Sequence, residues 1–431
     1  MSSLDVHIYG TRAATIERRG RRDYRIRYDP EYLSDPDAVP LSTRLPLAST
    51  PHTGDDVLRV LEGFLPDRPE VLERWARDAG LPDIEVFGLL RAFGEDVAGA
   101  AVFLPSGSAP NRRHRLEPLS RSEIAERIRS VRADSSAWTA GSTDHRFSLG
   151  GAQGKFALAF DRDGWHEPFD AAPSTHIFKP GIERYPESDV TEHIIMELAR
   201  ALDLPVANTE MQEFDGERIL VVERFDRIRS ADGVTRIHQE DFAQAMGVST
   251  LRKYEVDGGP GIEDISGVLK RNADPTSLTA SLRVFGASLV FAWLIAHNDG
   301  HAKNYSMRLL PGRTELAPLY DLNSYLPYID PARLRGRDPA FAHEVELAFS
   351  IGGARRIADF TSTHWGQLES TLRLPRGTLV AYAIDAADRM VGELNKVLDG
   401  LDSRFHSERS EALRTGLFLR RQSALRVLSL G

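Results

Sequence analysis

The chain has 431 residues, with 54 Lys plus Arg against 63 Asp plus Glu and a net charge of −9 at neutral pH. Its 41% hydrophobic, 27% charged and 8% aromatic residues are those of a folded protein and exclude a disordered one. The absence of cysteine excludes disulfide scaffolds, thiolate metal sites and cysteine nucleophiles together. At about 100–200 residues per domain, two or three domains with ample core are expected. The acidic balance argues against a protein that grips nucleic acid unaided, although it permits DNA contact within a complex. The first residues carry early acids and no apolar core of secretory type. The longest apolar stretch, Val284 to Ala296, is interrupted by Gly286 and Ser288. It is shorter than the ~20 residues of a membrane helix, so it reads as a buried core helix of a cytoplasmic protein with no membrane association.

In chain order, Val6 to Tyr9 and Tyr24 to Tyr28 alternate as short strands, followed by the turn-rich PDAVPLSTRLPLASTP. Helical spacing appears in DDVLRVLEGFL and PEVLERWARDAG, with Gly80 as a C-terminal stop. VAGAAVFLP reads as a strand, and the polar stretch Ser106 to Pro118 as a linker. Strand signals dominate from Phe147 to Phe225, interrupted by an amphipathic helix from Thr191 to Leu202. Beyond Gln239 the pattern is helical apart from a hairpin between Asn304 and Tyr320. The fold class is therefore α+β, with a small N-terminal α+β module (1–115), a β-rich lobe (116–238) and a mainly helical lobe (239–431).

The sharpest chemical signal is HNDGHAKN, His297 to Asn304, in which Asp299 precedes Asn304 by five positions. That is the spacing of a protein-kinase catalytic loop, which needs a carboxylate to accept the hydroxyl proton and an amide oxygen to hold magnesium. The following strand, turn and strand deliver Asp321, a second carboxylate able to reach the same metal. Two other readings stay open at this point. Asp299 and Asn304 could merely cap helices or turns, or His297, Asp299 and His301 could form a three-ligand metal site of a hydrolase.

Upstream, FSLGGAQGKFALAF places a glycine-rich turn between strand-like segments, with Gly150, Gly151 and Gly154 permitting close backbone approach to phosphate oxygens. A Walker loop is not matched, because Leu149 stands at its first glycine and Phe156 at its Ser or Thr. A plain hairpin with tight glycine turns is the bland alternative. STHIFKP is a strand ending in Lys179, which could reach nucleotide phosphates or simply lie at the surface. Glu192, near the start of the next helix, could pair with Lys179 or serve as first-turn charge. RILVVERF, ending in Glu223, Arg224 and Phe225, stands where a kinase has its adenine-binding hinge. Glycine loop, lysine, helix glutamate, hinge, buried helix, Asp-to-Asn loop, hairpin and second Asp follow in kinase order, which points to phosphoryl transfer.

With these residues assembled, the chain resembles the HipA family of bacterial toxin kinases along nearly its whole length. The resemblance rests on LSTRLPL, SLGGAQGK, STHIFKP, VERFDR, HQEDFAQAMG, KYEVDGGPGI, NDGHAKN and LAPLYD. It implies a bilobal protein-kinase-like fold and a cytoplasmic serine/threonine kinase, the toxin half of a type II toxin–antitoxin pair. It further implies phosphorylation of an aminoacyl-tRNA synthetase, most familiarly the glutamate enzyme, with translation arrest and persistence. By resemblance Asp299 is the catalytic base, and Asn304 and Asp321 bind Mg2+. ATP is contacted by Gly150, Gly151, Ala152, Gln153, Gly154 and Lys155, by Lys179, by Glu223, Arg224 and Phe225, by His301, Ala302, Lys303 and Asn304, and by Tyr320 and Asp321. Ser148 matches the family's autophosphorylated serine, whose modification drives the loop outward. The implied partner is a HipB-like helix-turn-helix antitoxin, with operator DNA bound mainly through it, since HWGQLESTLRLP offers only Arg373 as an obvious cation. The segment between Lys179 and Glu192 is short for the family, so the resemblance leaves the synthetase unnamed. A small-molecule kinase and a non-catalytic regulator acting through antitoxin and DNA are the competing functions.

Overall fold

A computed structural model describes residues 3–108, 115–138, 147–230, 233–329 and 345–429. The chain forms two compact units. The first comprises the residues through Pro180 together with Gln212–Leu251 and Ser306–Ala317, and the second comprises Gly181–Met211, Arg252–Tyr305 and the chain from Pro318 onward.

In the first unit, strands β1 (Ser3–Ile8), β2 (Thr11–Arg18), β3 (Tyr24–Tyr28) and β4 (His52–Thr53) precede the two-residue β5 (Asp96–Val97) and β6 (Ala101–Pro105). All but β5 form an antiparallel sheet in the order β4-β3-β2-β1-β6. The two expected helices are present as Asp55–Glu62 and Pro69–Asp78. The first opens on Asp55 and Asp56, which complement the helix dipole, and the second on Pro69, whose missing N–H costs nothing at that position. Gly80 takes the left-handed conformation, φ +64°, just beyond the second.

A second sheet holds β7 (Arg115–Pro118), β9 (Phe156–Asp161), β10 (Gly164–Phe169), β11 (His176–Lys179), β12 (Thr209–Phe214) and β13 (Glu217–Glu223), while β8 (Phe147–Ser148) lies apart from it. Its order is β12-β13-β11-β9-β10-β7. The stretch expected as a linker therefore ends in an edge strand, and its residues 109–114 lie outside the described residues. A helix that the sequence reading did not place, Arg121–Ala133, starts at a capping box of Ser120 and Glu123. One hydrophobic core serves both sheets of this unit. It runs from Leu4 and Trp75 through Trp138 to Phe156, Phe178 and Ile219, with Trp75 stacked on Phe93 at 4.6 Å.

Beyond β13 come β14 (Arg227–Ser230), β15 (Gly233–Arg236) and β16 (His238–Asp241), and later β17 (Ser306–Leu310) and β18 (Arg313–Leu316). The expected hairpin is thus β17–β18, but β16 joins it as a third strand. HQEDFAQ and LSTRLPL, far apart in sequence, meet here. His238 Nε2 lies 3.0 Å from the Leu41 carbonyl, and the Gln244 amide donates to the Val60 carbonyl at 2.9 Å. The buried Glu240 carboxyl accepts from Ser42 Oγ at 2.6 Å and from the Thr43 N–H at 2.9 Å.

The residues after β13 build a buried charge network. Arg224 donates to Asp226 (3.0 and 2.9 Å), Ser174 Oγ (2.9 Å) and the Val97 carbonyl (2.8 Å). Arg227 donates to Asp96 (2.9 Å) and to the Val97 (3.0 Å) and Gly99 (2.9 Å) carbonyls. Arg236 adds a third cation beside Asp96. Burial alone would raise the Asp96 pKa, but the three guanidinium groups outweigh it and hold the carboxyl well below the usual range.

In the second unit the apolar stretch lies in a helix longer than the sequence reading gave, Pro275–Ile295, started by Asp274 and Pro275 and ended by Ala296 at φ +55°. Its 21 residues are long and apolar enough to cross a membrane by length and composition. Every side chain from Phe285 to Ile295 is nevertheless buried, as in a core helix that is apolar all round. Around it stand the helices Ser188–Ala201, Ile262–Asn272, Ser362–Leu372, Thr378–Gly400 and Glu408–Ser429. The helical reading of this region overlooked a hairpin of β19 (Glu346–Ile351) and β20 (Ala354–Arg356).

The buried charges of the first unit can be tested separately. Asp96→Ala leaves three buried guanidinium groups with Asp226 as the one carboxylate of the network and is expected to cost about 3–5 kcal/mol, measured by chemical denaturation. Glu240 is pushed up to about 7 by burial, which outweighs its hydrogen bonds. The folded chain then holds a proton that the unfolded chain has released, so stability falls as pH rises from the ordinary carboxylate range to about 7. Glu240→Gln should abolish that part of the slope, read as melting temperature at about pH 5 and about pH 8, either side of the shifted value.

Candidate active site

The glycine-rich segment is not a hairpin. β8 pairs in parallel with β5, Val97 opposite Ser148, whereas β9 pairs with β10 and β11. Between them, Leu149 to Lys155 form a loop tied down along its length. Ser148 is buried and its hydroxyl donates to the Phe64 carbonyl at 2.5 Å. The Asp67 N–H donates to the Gly151 carbonyl at 3.3 Å, and Gln153 donates to the Pro180 carbonyl at 3.1 Å. Lys155 turns back to the Gly150 carbonyl at 2.5 Å and lies over the Trp138 ring. Gly151 has φ +102°, and a Cβ there would lie 2.6 Å from the Lys155 ammonium. A Cβ at Gly154 would lie 2.9 Å from Val131. Both positions therefore require glycine. Ala152 is exposed at the tip.

Lys179 ends β11 as expected, buried and opposite Leu220 of β13. Glu223 closes β13 opposite His176, and Phe225 is half-buried. The Arg224 side chain turns away into the buried network. The residue's N–H donates to the Thr175 carbonyl, and its own carbonyl accepts from Arg227.

The second unit carries the loop that follows the core helix. Left-handed Ala296 turns the chain, and His297 is buried, its pKa lowered by desolvation against the opposing charges of Asp299 and Asp321. Gly300 packs against that imidazole, where a Cβ would lie 2.9 Å from the ring. Asp299 projects outward with a side chain 62% exposed. The His301 N–H donates to the Asp299 carbonyl and the Asn304 N–H to the His301 carbonyl, both at 2.9 Å, through a turn of 3₁₀ helix at Ala302–Asn304. Tyr320 donates to the Lys303 carbonyl at 2.8 Å, and Asp321 follows it in left-handed conformation, φ +56°. Glu192 is buried in the second turn of the helix Ser188–Ala201, which begins three residues before its expected start.

The Asn304 Oδ1 atom is buried and has no hydrogen-bond partner. A buried acceptor left bare is costly, and an amide oxygen is a suitable ligand for magnesium, which takes few protein ligands beside phosphate oxygens and water. The residues thus fit the expected ion. The three-ligand alternative does not form: among the described residues no group of three or more His, Cys, Asp or Glu side chains could hold a metal ion. Sequence reasoning missed Tyr254, whose hydroxyl donates to Asp299 Oδ1. Its only signal was its place in KYEVDGGPGI.

Comparison with known proteins defines the class. The chain matches the profiles described as HipA N-terminal domain over residues 4–104 and HipA-like C-terminal domain over residues 147–398. The latter alone covers more than half the chain, and with the relatives that follow named as kinases the protein is a kinase of the serine/threonine type, with an α+β fold. It is 36% identical over 358 residues to the candidate kinase Y4mE of Sinorhizobium fredii, covering 81% of this chain and 80% of that protein. It is 33% identical over 372 residues to the serine/threonine-protein kinase toxin HipA of Shewanella oneidensis, covering 83% and 81% respectively. The chain belongs to the HipA family. A solved Shewanella oneidensis complex of HipA, HipB and operator DNA contains a chain that superimposes with a TM-score of 0.82 at 25% identity, covering 99% of this chain and 98% of that one.

The contact of Gly300 with His297 yields a test of the loop. Gly300→Ala should overpack the imidazole and destabilise by about 1–3 kcal/mol. Gly392→Ala, with open space at its Cβ in the helix Thr378–Gly400, should instead stabilise by about 0.5–1 kcal/mol. Chemical denaturation of both variants measures the difference.

Proposed function

We propose that the chain transfers the γ-phosphoryl group of ATP to a serine or threonine of a protein, with Asp299 as the general base. The observation that carries this reading is the pairing of an exposed carboxylate, Asp299, with the bare buried acceptor of Asn304 five positions later on one short loop. Asp299 takes the proton of the attacking hydroxyl as its oxygen bonds to the γ-phosphorus and the bond to the β–γ bridging oxygen breaks, releasing ADP. Magnesium, held by Asn304 and Asp321, would supply positive charge for the phosphate oxygens. Gly150 to Gly154 present main chain to the phosphates, and Lys155 and Lys179 add cationic charge. Glu223 and Phe225 serve the adenine through main chain and ring, while His301 to Asn304 and Tyr320 complete the ATP contacts. The N-terminal module (1–115), ATP-binding lobe (116–238) and helical lobe (239–431) divide the work.

The family supports a toxin role with an aminoacyl-tRNA synthetase as target, arrest of translation and persistence as outcome, and a cytoplasmic setting. The Shewanella oneidensis relative, solved together with HipB and its operator DNA, supports a HipB-like antitoxin as partner, with operator DNA reached mainly through it. Autophosphorylation at Ser148 is the proposed off-switch. A phosphate of about −1.5 to −2 charge has no place where the Ser148 hydroxyl now sits, buried against the Phe64 carbonyl. The loop would have to leave.

Incubation with γ-labelled ATP and magnesium in a cell extract, with mass spectrometry of labelled proteins, tests the whole reading. Asp299→Asn should lower transfer by at least about 100-fold while retaining ATP binding. A labelled synthetase absent from that control names the target. Undiminished transfer by Asp299→Asn overturns the assignment, and no label from protein shown to be unphosphorylated at Ser148 favours the non-catalytic regulator.

A further inference from the structure

The segment KYEVDGGPGI, Lys253 to Ile262, takes no part in the chemistry set out above. In the structure it braces the loop that carries Asp299. The Lys253 carbonyl accepts from the Ala302 N–H at 3.4 Å. The Tyr254 ring meets the His301 ring edge-on, with centroids 4.7 Å apart and planes at 83°. Its hydroxyl donates to Asp299 Oδ1.

Tyr254 is itself fixed from behind. Its carbonyl accepts from the N–H groups of Asp257 (3.1 Å) and Gly259 (2.9 Å). A Cβ on Gly259 would lie 2.0 Å from the Arg252 carbonyl and 2.6 Å from that of Tyr254, so the tight return of the chain depends on glycine. The Glu255 carboxylate accepts from the Ser350 N–H at 2.6 Å and ties the segment to β19. The tyrosine therefore stands on a rigid support.

Asp299 lacks such support of its own. Its side chain is 62% exposed, and His301 Nε2 stands 4.0 Å from Oδ1, beyond hydrogen-bond reach. An exposed aspartate samples several staggered rotamers, and those that swing the carboxylate away remove the proton acceptor from the reacting hydroxyl. We propose that Tyr254 is the positioning residue of the transfer reaction, its hydroxyl holding Oδ1 so that Oδ2 is presented to the incoming serine or threonine. This rests on the reading of Asp299 as the base. Tyr254 keeps its own proton throughout. The proton that moves is the substrate's, which passes to Asp299 as the new O–P bond forms and the bond to the leaving ADP oxygen breaks.

The test uses the full chain, shown to be unphosphorylated at Ser148, and the rate of label transfer from γ-labelled ATP to the acceptor protein it labels in extract. Tyr254→Phe keeps the ring against His301 and removes only the hydroxyl. It is expected to lower kcat by about 10-fold, within the range that misplacement of a reacting group produces, with the KM for ATP and the melting temperature unchanged. A purely structural tyrosine would lower the melting temperature instead. Wild-type kcat in Tyr254→Phe, or a raised KM for ATP with kcat unchanged, overturns the positioning role while an inactive Asp299→Asn leaves the base in place. Active Asp299→Asn protein, or no label from the wild-type chain, overturns the base assignment itself and the tyrosine's role with it.

Discussion

The two-residue strand β5 is the point on which the first unit turns. On one side the Val97 carbonyl and the Asp96 carboxylate receive Arg224 and Arg227, which follow directly from β13. On the other, Val97 pairs with Ser148, where the glycine-rich loop begins. The glycine-rich loop and the end of β13 are thus fixed to each other through a third segment from the N-terminal module. Three arginines and two aspartates buried together are a weak source of net stability, because desolvation consumes much of the Coulombic gain. What they supply is geometry. Each guanidinium presents a rigid fork of donors, and its partners accept it in one arrangement only.

The same logic explains why QEDFAQ and LSTRLPL lie against each other. Glu240 is buried with two donors from Ser42 and Thr43 and no cation beside it among its hydrogen-bond partners. Its pKa of about 7 places its proton loss near neutrality. A joint made in this way holds well when the carboxyl is neutral and less well when it is charged. The arginine network has the opposite character, since its carboxylates stay ionised throughout the physiological range.

Local periodicity carried most of the elements. The helices Asp55–Glu62 and Pro69–Asp78, the strands β1, β3, β11 and β13, and the β17–β18 hairpin all stand where alternation or helical spacing put them. The order of glycine loop, lysine, hinge and Asp-to-Asn loop was equally plain, because each is one short run of residues. What could not be read were pairings between distant segments. β5 with β8, β16 with β17 and Tyr254 with Asp299 join residues far apart in sequence, and a two-residue strand has no period to detect. Arg224 shows what position alone does not reveal. It stands in the hinge run, yet its side chain belongs to the network beneath.

Burial also separates the polar groups of the second unit's loop by what they can do. His297 is enclosed, with Gly300 packed on its ring and its pKa lowered by burial, so it stays neutral and serves as a wall. Asp299, two residues on, is open to solvent and held at one oxygen by a tyrosine. Asn304 is enclosed again, with its amide oxygen bare. A structural loop would satisfy its buried acceptors and would have no reason to brace an exposed acid. Here the arrangement is reversed: the exposed carboxylate is anchored and the buried oxygen is left free. That reversal supports the roles proposed for the two residues, in which Asp299 meets a mobile hydroxyl and Asn304 a hard cation.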